Sequence, residues 1–342
     1  EAWCDNGFIP KDNGDGTWTV KEGQYVARIG ETGYEKLDDA FAAAQDNDEV
    51  KILVAGTYNL TTSGKNITIT GAVDGVVFDM PKNNYSYIGV NAGLTFNNVT
   101  FDYGNYIYVG LAHCTDMVYN NCIINGQVFL YSTSETFNKC TFNQNSADAY
   151  NVWTYGADVV NFNECIFNSV GKSVLIYSDQ EEQVNIVNVN KCQLIASAPV
   201  TGKAAFEMDS SIQESANSIT LNITETTATG FGSGNVSNNS LWNNKKGNQG
   251  ANNDITVTVD GVVVLAPTTV AKIGETKYNT LQGAIDAAGT TTTQIEVVGS
   301  TTENINIAEG ANITLAFAQD VTLNGYFAPF EGNLTINGGT IN

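Results

Sequence analysis

One short pattern recurs through the first two thirds of this chain: apolar, any, apolar, Asn, any, apolar, any, apolar. It reads LTFNNVTFD from Leu94, MVYNNCIIN from Met117, ETFNKCTFN from Glu135, VNFNECIFN from Val160 and VNVNKCQLI from Val187. The anchor residues Val99, Cys122, Cys140, Cys165 and Cys192 lie 23, 18, 25 and 27 residues apart, which is the range of solenoid repeats. Two three-residue strands with period-two alternation, split by a two-residue bend, make each unit one turn of a coil. Asn suits the bend because it tolerates the left-handed conformation, and stacked amides can bond from turn to turn. Asn97, Asn120, Asn138, Asn163 and Asn190 form the predicted ladder. The fold expected is all-β, a right-handed parallel β-helix. From about Ile67 to Ile223 there is room for roughly seven rungs, a stack of about 34 Å at ordinary strand spacing.

A longer repeat frames the short one. VARIGETGYEKLDDAFAAA from Val26 and VAKIGETKYNTLQGAIDAA from Val270 agree at eleven of nineteen positions, so a module start occurs twice. In each copy the apolar residues fall at helical spacing, Leu37, Ala40, Phe41 and Ala44 in the first, Leu281, Ala284, Ile285 and Ala288 in the second. An amphipathic helix is predicted to lead each module and to cover the open end of the first rung, which would otherwise template aggregation. The organisation read from these signals is an N-terminal hairpin extension over 1–25, a β-helix module with its cap helix over 26–253, a strand connector over 254–269, and a second module over 270–342 that stops inside its coil, where LTINGGTIN from Leu334 restarts the pattern. The chain reads as a mature or trimmed piece whose signal peptide and anchor lie outside it.

The run YEKLDDAFAAAQDNDEVKILVAGTYNL, followed by NITITGAVDGVVFD, resembles the opening of the pectin-lyase-like β-helix superfamily, in which an amphipathic cap helix precedes a strand, a GTY-type turn and a strand ending in Gly. The likeness covers most of residues 26–225. The doubled VAKIGETKYNTLQ start resembles modules of surface-anchored proteins of gut Gram-positive bacteria, some of which bind immunoglobulin variable domains in the manner of B-cell superantigens. What this resemblance implies is an extracellular protein of the bacterial cell surface with an immunoglobulin as its partner.

Charge excludes other partners. With 36 Asp plus Glu against 15 Lys plus Arg, the net charge is -21, and acid self-repulsion on that scale works against nucleic acid and acidic membrane surfaces. No apolar run is long enough to span a bilayer. Catalytic equipment is also thin. Eliminating lyases of this superfamily use an Arg or Lys base beside acidic calcium ligands, and its hydrolases use paired Asp residues with His and a basic residue. This chain has one Arg, Arg28, before the cap helix, and no Lys or Arg from 83 to 138. Asp38 and Asp39 read as solvated charge on that helix. His113, with Cys114 and Asp116 nearby, invites a nucleophilic reading; the plainer one is a turn residue. Six Cys would ordinarily mean disulfides, but four recur at one inward position, where parallel in-register side chains point alike, so free buried thiols are expected. Their spacing lacks the CxxC pairs of structural zinc, and DNGDGT from Asp12 has Gly where an EF-hand needs ligands, so it reads as a hairpin turn. No cofactor or metal is expected.

One surface feature stands out. A further strand follows each bend pair: YIYVG from Tyr106, VFLYS from Val128, VWTYG from Val152, VLIYS from Val174 and AFEMD from Ala205. Aligned, they set Ile107, Val128, Val152 and Val174 on one parity, and Tyr108, Phe129, Trp153, Leu175 and Phe206 on the other, which continues through Tyr131, Tyr155 and Tyr177. Both faces are apolar, only one can point inward, and an exposed apolar stripe marks a binding surface. Tyr and Trp are the residues most enriched in interface hot spots. Glu207 falls on the β-branched parity in this alignment, which favours that parity facing out and leaves the choice open. The candidate binding residues are Tyr106, Tyr108, Phe129, Tyr131, Trp153, Tyr155 and Tyr177.

The function expected is a non-catalytic adhesin that engages a host protein through a β-helix face. A polysaccharide lyase or glycoside hydrolase acting on host or plant glycans is the alternative, since fold alone does not decide function. A passive spacer is the third reading.

Overall fold

The computed structural model describes residues 8–61, 64–83, 86–104, 109–155, 157–178, 183–210, 218–232, 239–244, 254–329 and 331–342. Two compact units divide the chain, Glu1–Val264 and Leu265–Asn342.

The first unit is a coil of stacked parallel strands in three sheets of twelve, eight and seven strands. The first half of each repeat lies in the twelve-stranded sheet, where Phe96, Tyr119, Phe137 and Phe162 share one register row. The second half lies in the eight-stranded sheet, with Thr100, Ile123, Thr141, Ile166 and Gln193 in a row. Among the described residues from Ile67 to Thr224, the twelve-stranded sheet has seven parallel strands, the predicted number of rungs. Glu49–Ile52 adds one below and Asp254–Val259 one above.

The lower end is closed twice over. Ala27–Ile29 runs antiparallel to Glu49–Ile52, and Thr32–Tyr34 antiparallel to Ala27–Ile29. Helix α1, Leu37–Ala43, packs on those three strands and buries Leu37, Ala40 and Phe41. At the other end Asp254–Val259 turns through Asp260 and Gly261, at φ 47° and 78°, into Val262–Leu265. Two consecutive positive φ values make the tight turn whose twist matches a hairpin. The start of the predicted connector is thus the last parallel strand of the first unit. Near the N-terminus, Phe8–Asp12 pairs antiparallel with Trp18–Gln24. Asp12 and Asp15 turn their carboxylates on the hairpin's own amides, Gly14 N at 2.8 Å and Thr17 N at 2.9 Å.

Aromatic rings fill the coil. Phe96–Tyr119, Tyr119–Phe137 and Phe137–Phe162 stack at 5.4, 4.4 and 5.4 Å between centroids. Phe142 and Phe167 stack at 4.5 Å and meet that column edge-on. Each such pair is worth about 0.5–1.5 kcal/mol beyond its buried area.

The Asn ladder is present from Asn97 to Asn163, with a correction. Asn120, Asn138 and Asn163 each donate Nδ2 to the Oδ1 of the Asn one rung below, at 2.9, 2.8 and 2.9 Å, and Asn97 donates to Thr70 Oγ1 at 3.0 Å. These residues end extended strands. The left-handed conformation belongs to the next residue, Asn98, Asn121, Lys139, Glu164 and Lys191, all at φ 53° to 55°. Asn is needed for its amide, while the following residue makes the corner and is held there by its N–H, which donates to the next rung at 2.8 to 3.0 Å. Lys and Glu alternate at this exposed position, with Lys139–Glu164 and Lys191–Glu225 each at 3.9 Å. Inside the corner, Cys122, Cys140, Cys165 and Cys192 are buried and free. Cys140 and Cys165 donate Sγ–H to the carbonyls of Tyr119 and Phe137, both at 3.3 Å. Cys4 lies outside the described residues.

The second unit repeats the opening of the first. Ala271–Ile273 and Thr276–Tyr278 pair antiparallel, helix α2 spans Leu281–Ala288, and Thr293–Val297, Asn312–Phe317 and Asn333–Asn337 stack in parallel. Leu281, Ala284, Ile285 and Ala288 join Ile295, Val297, Ile313 and Leu315 in one core. Thr280 Oγ1 accepts from Gly283 N at 3.0 Å, and the Glu303 carboxylate accepts from Leu281 N and Gln282 N, both at 2.9 Å. The first helix has no such side-chain cap.

Candidate functional site

The seven-stranded sheet carries the candidate surface. Its register rows run Val128, Val152, Val174, Phe206, Trp242 and, next to them, Gly110, Phe129, Trp153, Leu175, Glu207, Asn243. This corrects the sequence alignment at both ends. Phe206 stands with the valines and Glu207 on the aromatic parity, while Gly110, two residues past Tyr108, holds the lower aromatic position. Rung length varies, so an alignment carried outward from the Asn corner slips by the time it reaches this sheet. Tyr106 and Tyr108 lie outside the described residues.

Burial tells the faces apart. Val109, Leu111, Val128, Leu130, Val152, Val174, Ile176, Phe206 and Met208 are all buried. On the other parity Tyr87 is 56% exposed and Tyr131, Trp153, Tyr155 and Tyr177 are half-buried. Because a coil has one inside, the parity that is buried from Val109 to Met208 faces inward and the parity of Tyr131, Trp153, Tyr155 and Tyr177 outward. The stripe is only partly open: Phe129 is 0% and Leu175 2% exposed. Trp242 packs as the last member of an inward row.

Five of the seven predicted residues form one contiguous group. Phe129 meets Trp153 at 4.9 Å and Tyr155 at 5.6 Å, Tyr131 meets Tyr155 edge-on at 5.7 Å, and Tyr155 stacks on Tyr177 at 5.9 Å with 9° between planes. Trp153 meets Tyr177 edge-on at 5.3 Å. These rings contact one another across successive rungs, so each is held in one orientation before any partner arrives, which reduces the ordering cost of binding.

Above the rings lies a polar cluster that sequence reasoning missed. Glu207 is fully buried and bonds Lys203 Nζ at 2.7 Å, Ala204 N at 3.0 Å and Asn243 Nδ2 at 3.2 Å. Tyr150 OH sits 3.2 Å from Lys203 Nζ and 3.5 Å from Glu207 Oε2, and its ring meets Trp153 edge-on at 6.1 Å. Burial, followed by the charges of Glu207 and Asp209, pushes the Tyr150 phenol well above its ordinary range. The available signal was Glu207 in AFEMD, a charge set between the apolar Phe206 and Met208.

The other singled-out groups have local roles. His113 is a corner residue at φ 59°, edge-on to Tyr87 at 5.7 Å. Burial, and then the Glu135 charge, pushes the Cys114 thiol up to about 12, so it is a thiol at neutral pH, not a thiolate nucleophile. Asp38 accepts from Thr61 Oγ1 at 2.9 Å. On another corner a groove of about 250 Å³ is lined by Asp102, Asn125, Asn143, Gln144, Asn145 and Asn168, with Gly104 and Gly126.

No family model, curated protein or solved structure matches this chain.

Proposed function

We propose that this chain is a non-catalytic binding module of the bacterial cell surface, and that it engages a host protein through the outward aromatic face of the seven-stranded sheet. One observation carries the reading: the half-buried row of Tyr131, Trp153, Tyr155 and Tyr177 in mutual contact across the rungs. Rings that are rigid, amphipathic and partly open are what interface anchors require. The partner we propose is an immunoglobulin variable domain, on the resemblance of the duplicated module start to immunoglobulin-binding surface modules. We assign the coil to the pectin-lyase-like class and take it to be right-handed, the hand of nearly all crossovers between parallel strands.

The test is binding of immobilised variable-domain fragments to the wild-type chain and to Trp153→Ala and Tyr155→Ala. Loss of a central anchor of this kind costs about 2 kcal/mol or more, roughly thirtyfold in affinity. Wild-type binding weakened to that degree, with melting unchanged within a few degrees, supports the surface. Undetectable wild-type binding rejects the partner, and unweakened binding by the variants rejects the face.

A second reading, binding or cleavage of a glycan, draws on the amide-lined groove at Asn125, Asn143 and Asn168. A screen of uronic-acid polymers for binding and for unsaturated products tests it.

A further inference from the structure

Lys203, Glu207 and Asn243 bring an amine, a carboxyl group and a carboxamide together where water is scarce. Glu207 and Asn243 are 0% exposed, and the Lys203 side chain is 19% exposed. The two Glu207 oxygens divide the work: Oε2 takes Lys203 Nζ at 2.7 Å, and Oε1 takes Asn243 Nδ2 at 3.2 Å. Ala204 N fixes Oε1 at 3.0 Å, Gly202 O accepts a second hydrogen from Asn243 Nδ2 at 3.4 Å, and Tyr150 OH holds Lys203 Nζ from the other side at 3.2 Å. The Tyr150 ring also lies under both Lys203 and Lys172. One carboxyl group therefore bridges a nucleophile to the nitrogen that would have to leave.

We infer that this cluster is a site of self-modification, at which Lys203 and Asn243 join through an intramolecular isopeptide bond with Glu207 as proton carrier. The ion-pair proton passes from Lys203 Nζ to Glu207, leaving a neutral amine whose lone pair attacks Asn243 Cγ. A C–N bond forms, and the addition leaves a second proton on Nζ, which returns to Glu207 as the carboxyl group delivers its own to Nδ2. The Cγ–Nδ2 bond then breaks and ammonia departs. Nothing is oxidised or reduced, and no co-reactant is needed. Proximity supplies much of the driving advantage, since two groups held on one carboxyl react as a single molecule would, and burial removes the water that would otherwise solvate the ammonium and the carboxylate. The bond would tie the residue that opens one rung of the seven-stranded sheet to Trp242–Asn244, the last strand in that sheet, bracing the top of the coil where a parallel stack has no further neighbour.

Intact-mass spectrometry of the full chain tests this. The expected mass is one ammonia below that of the sequence, with tandem spectra locating the loss in a cross-linked pair of peptides that contain Lys203 and Asn243. Lys203→Met, Asn243→Ala and Glu207→Gln should each restore the sequence mass. Succinimide formation at an Asn-Gly pair also releases ammonia, but it would persist in Lys203→Met, and that result would overturn the assignment. So would folded wild-type protein that keeps the sequence mass and unmodified Lys203 and Asn243 peptides after prolonged incubation at neutral pH, whatever the stability of the variants.

Discussion

At the scale of single residues, the most consequential side chain in the core is Glu135. It occupies the first, ordinarily apolar, position of its repeat, is 1% exposed, and bonds Ser132 Oγ. Burial dominates and raises its pKa from 4.5 to about 7, with bonds from Ser132 and Tyr119 pulling the other way. Tyr103, Tyr119 and Cys114 around it are themselves pushed up by burial, so they stay neutral across that window. A folded pKa above the unfolded one means that Glu135 favours folding most below about pH 4.5, and that this contribution is lost as pH rises through 7. The shift corresponds to roughly 3 kcal/mol. Urea denaturation at pH 4.5 and pH 8 should show wild type losing about that much relative to Glu135→Gln. An identical pH dependence in the two proteins would exclude a titrating Glu135.

At the scale of the rung, the Asn ladder and the left-handed corner are separate devices on adjacent residues, and substitutions can tell them apart. Asn138→Ala removes a donor to Asn120 and an acceptor for Asn163, and about 1–2 kcal/mol should be lost. Lys139 sits at φ 55°, where a side chain costs about 1–2 kcal/mol relative to Gly. Its ion pair with Glu164, more than half exposed on both sides, is worth little. Lys139→Gly should therefore be neutral or stabilising, and the reverse order of effects would return the corner to Asn138. In the second unit the helix start depends on Thr280 and Glu303. Thr280→Ala should cost about 1 kcal/mol, read as earlier loss of protection of the 281–288 amides in hydrogen exchange.

Across the whole molecule, 36 acidic against 15 basic side chains press the folded state apart. Exposed charges beyond a Debye length are screened by salt, which falls from about 30 Å at 0.01 M to about 3 Å at 1 M. The melting temperature should rise by several degrees when sodium chloride is increased from about 0.01 M to about 0.5 M; a flat response would mean that the acidic groups are already locally compensated. A net charge of -21 steers a partner bearing cationic side chains toward the chain, and exposed rings can then make cation–π contacts with it. Weakening of variable-domain binding as salt increases would fit that arrangement.

By itself the sequence determined the coil, its rung count, the amide ladder, the buried thiols and the helix that opens each module. Each of these depends on periodicity, and a stacked repeat writes its period directly into the chain because every rung repeats the same environment. Tertiary structure alone decided which face of the seven-stranded sheet points outward. Strands such as VFLY are apolar on both sides, so alternation gives no signal, and the answer came from burial summed over neighbouring rungs. It also decided the register there: rungs of unequal length shift the third strand relative to the Asn corner, which moved Glu207 to the aromatic parity and Gly110 into the position given to Tyr108. The union of Tyr150, the Lys203–Glu207 pair and Asn243 was likewise invisible in sequence, since they come from three different rungs and meet only when the coil stacks them.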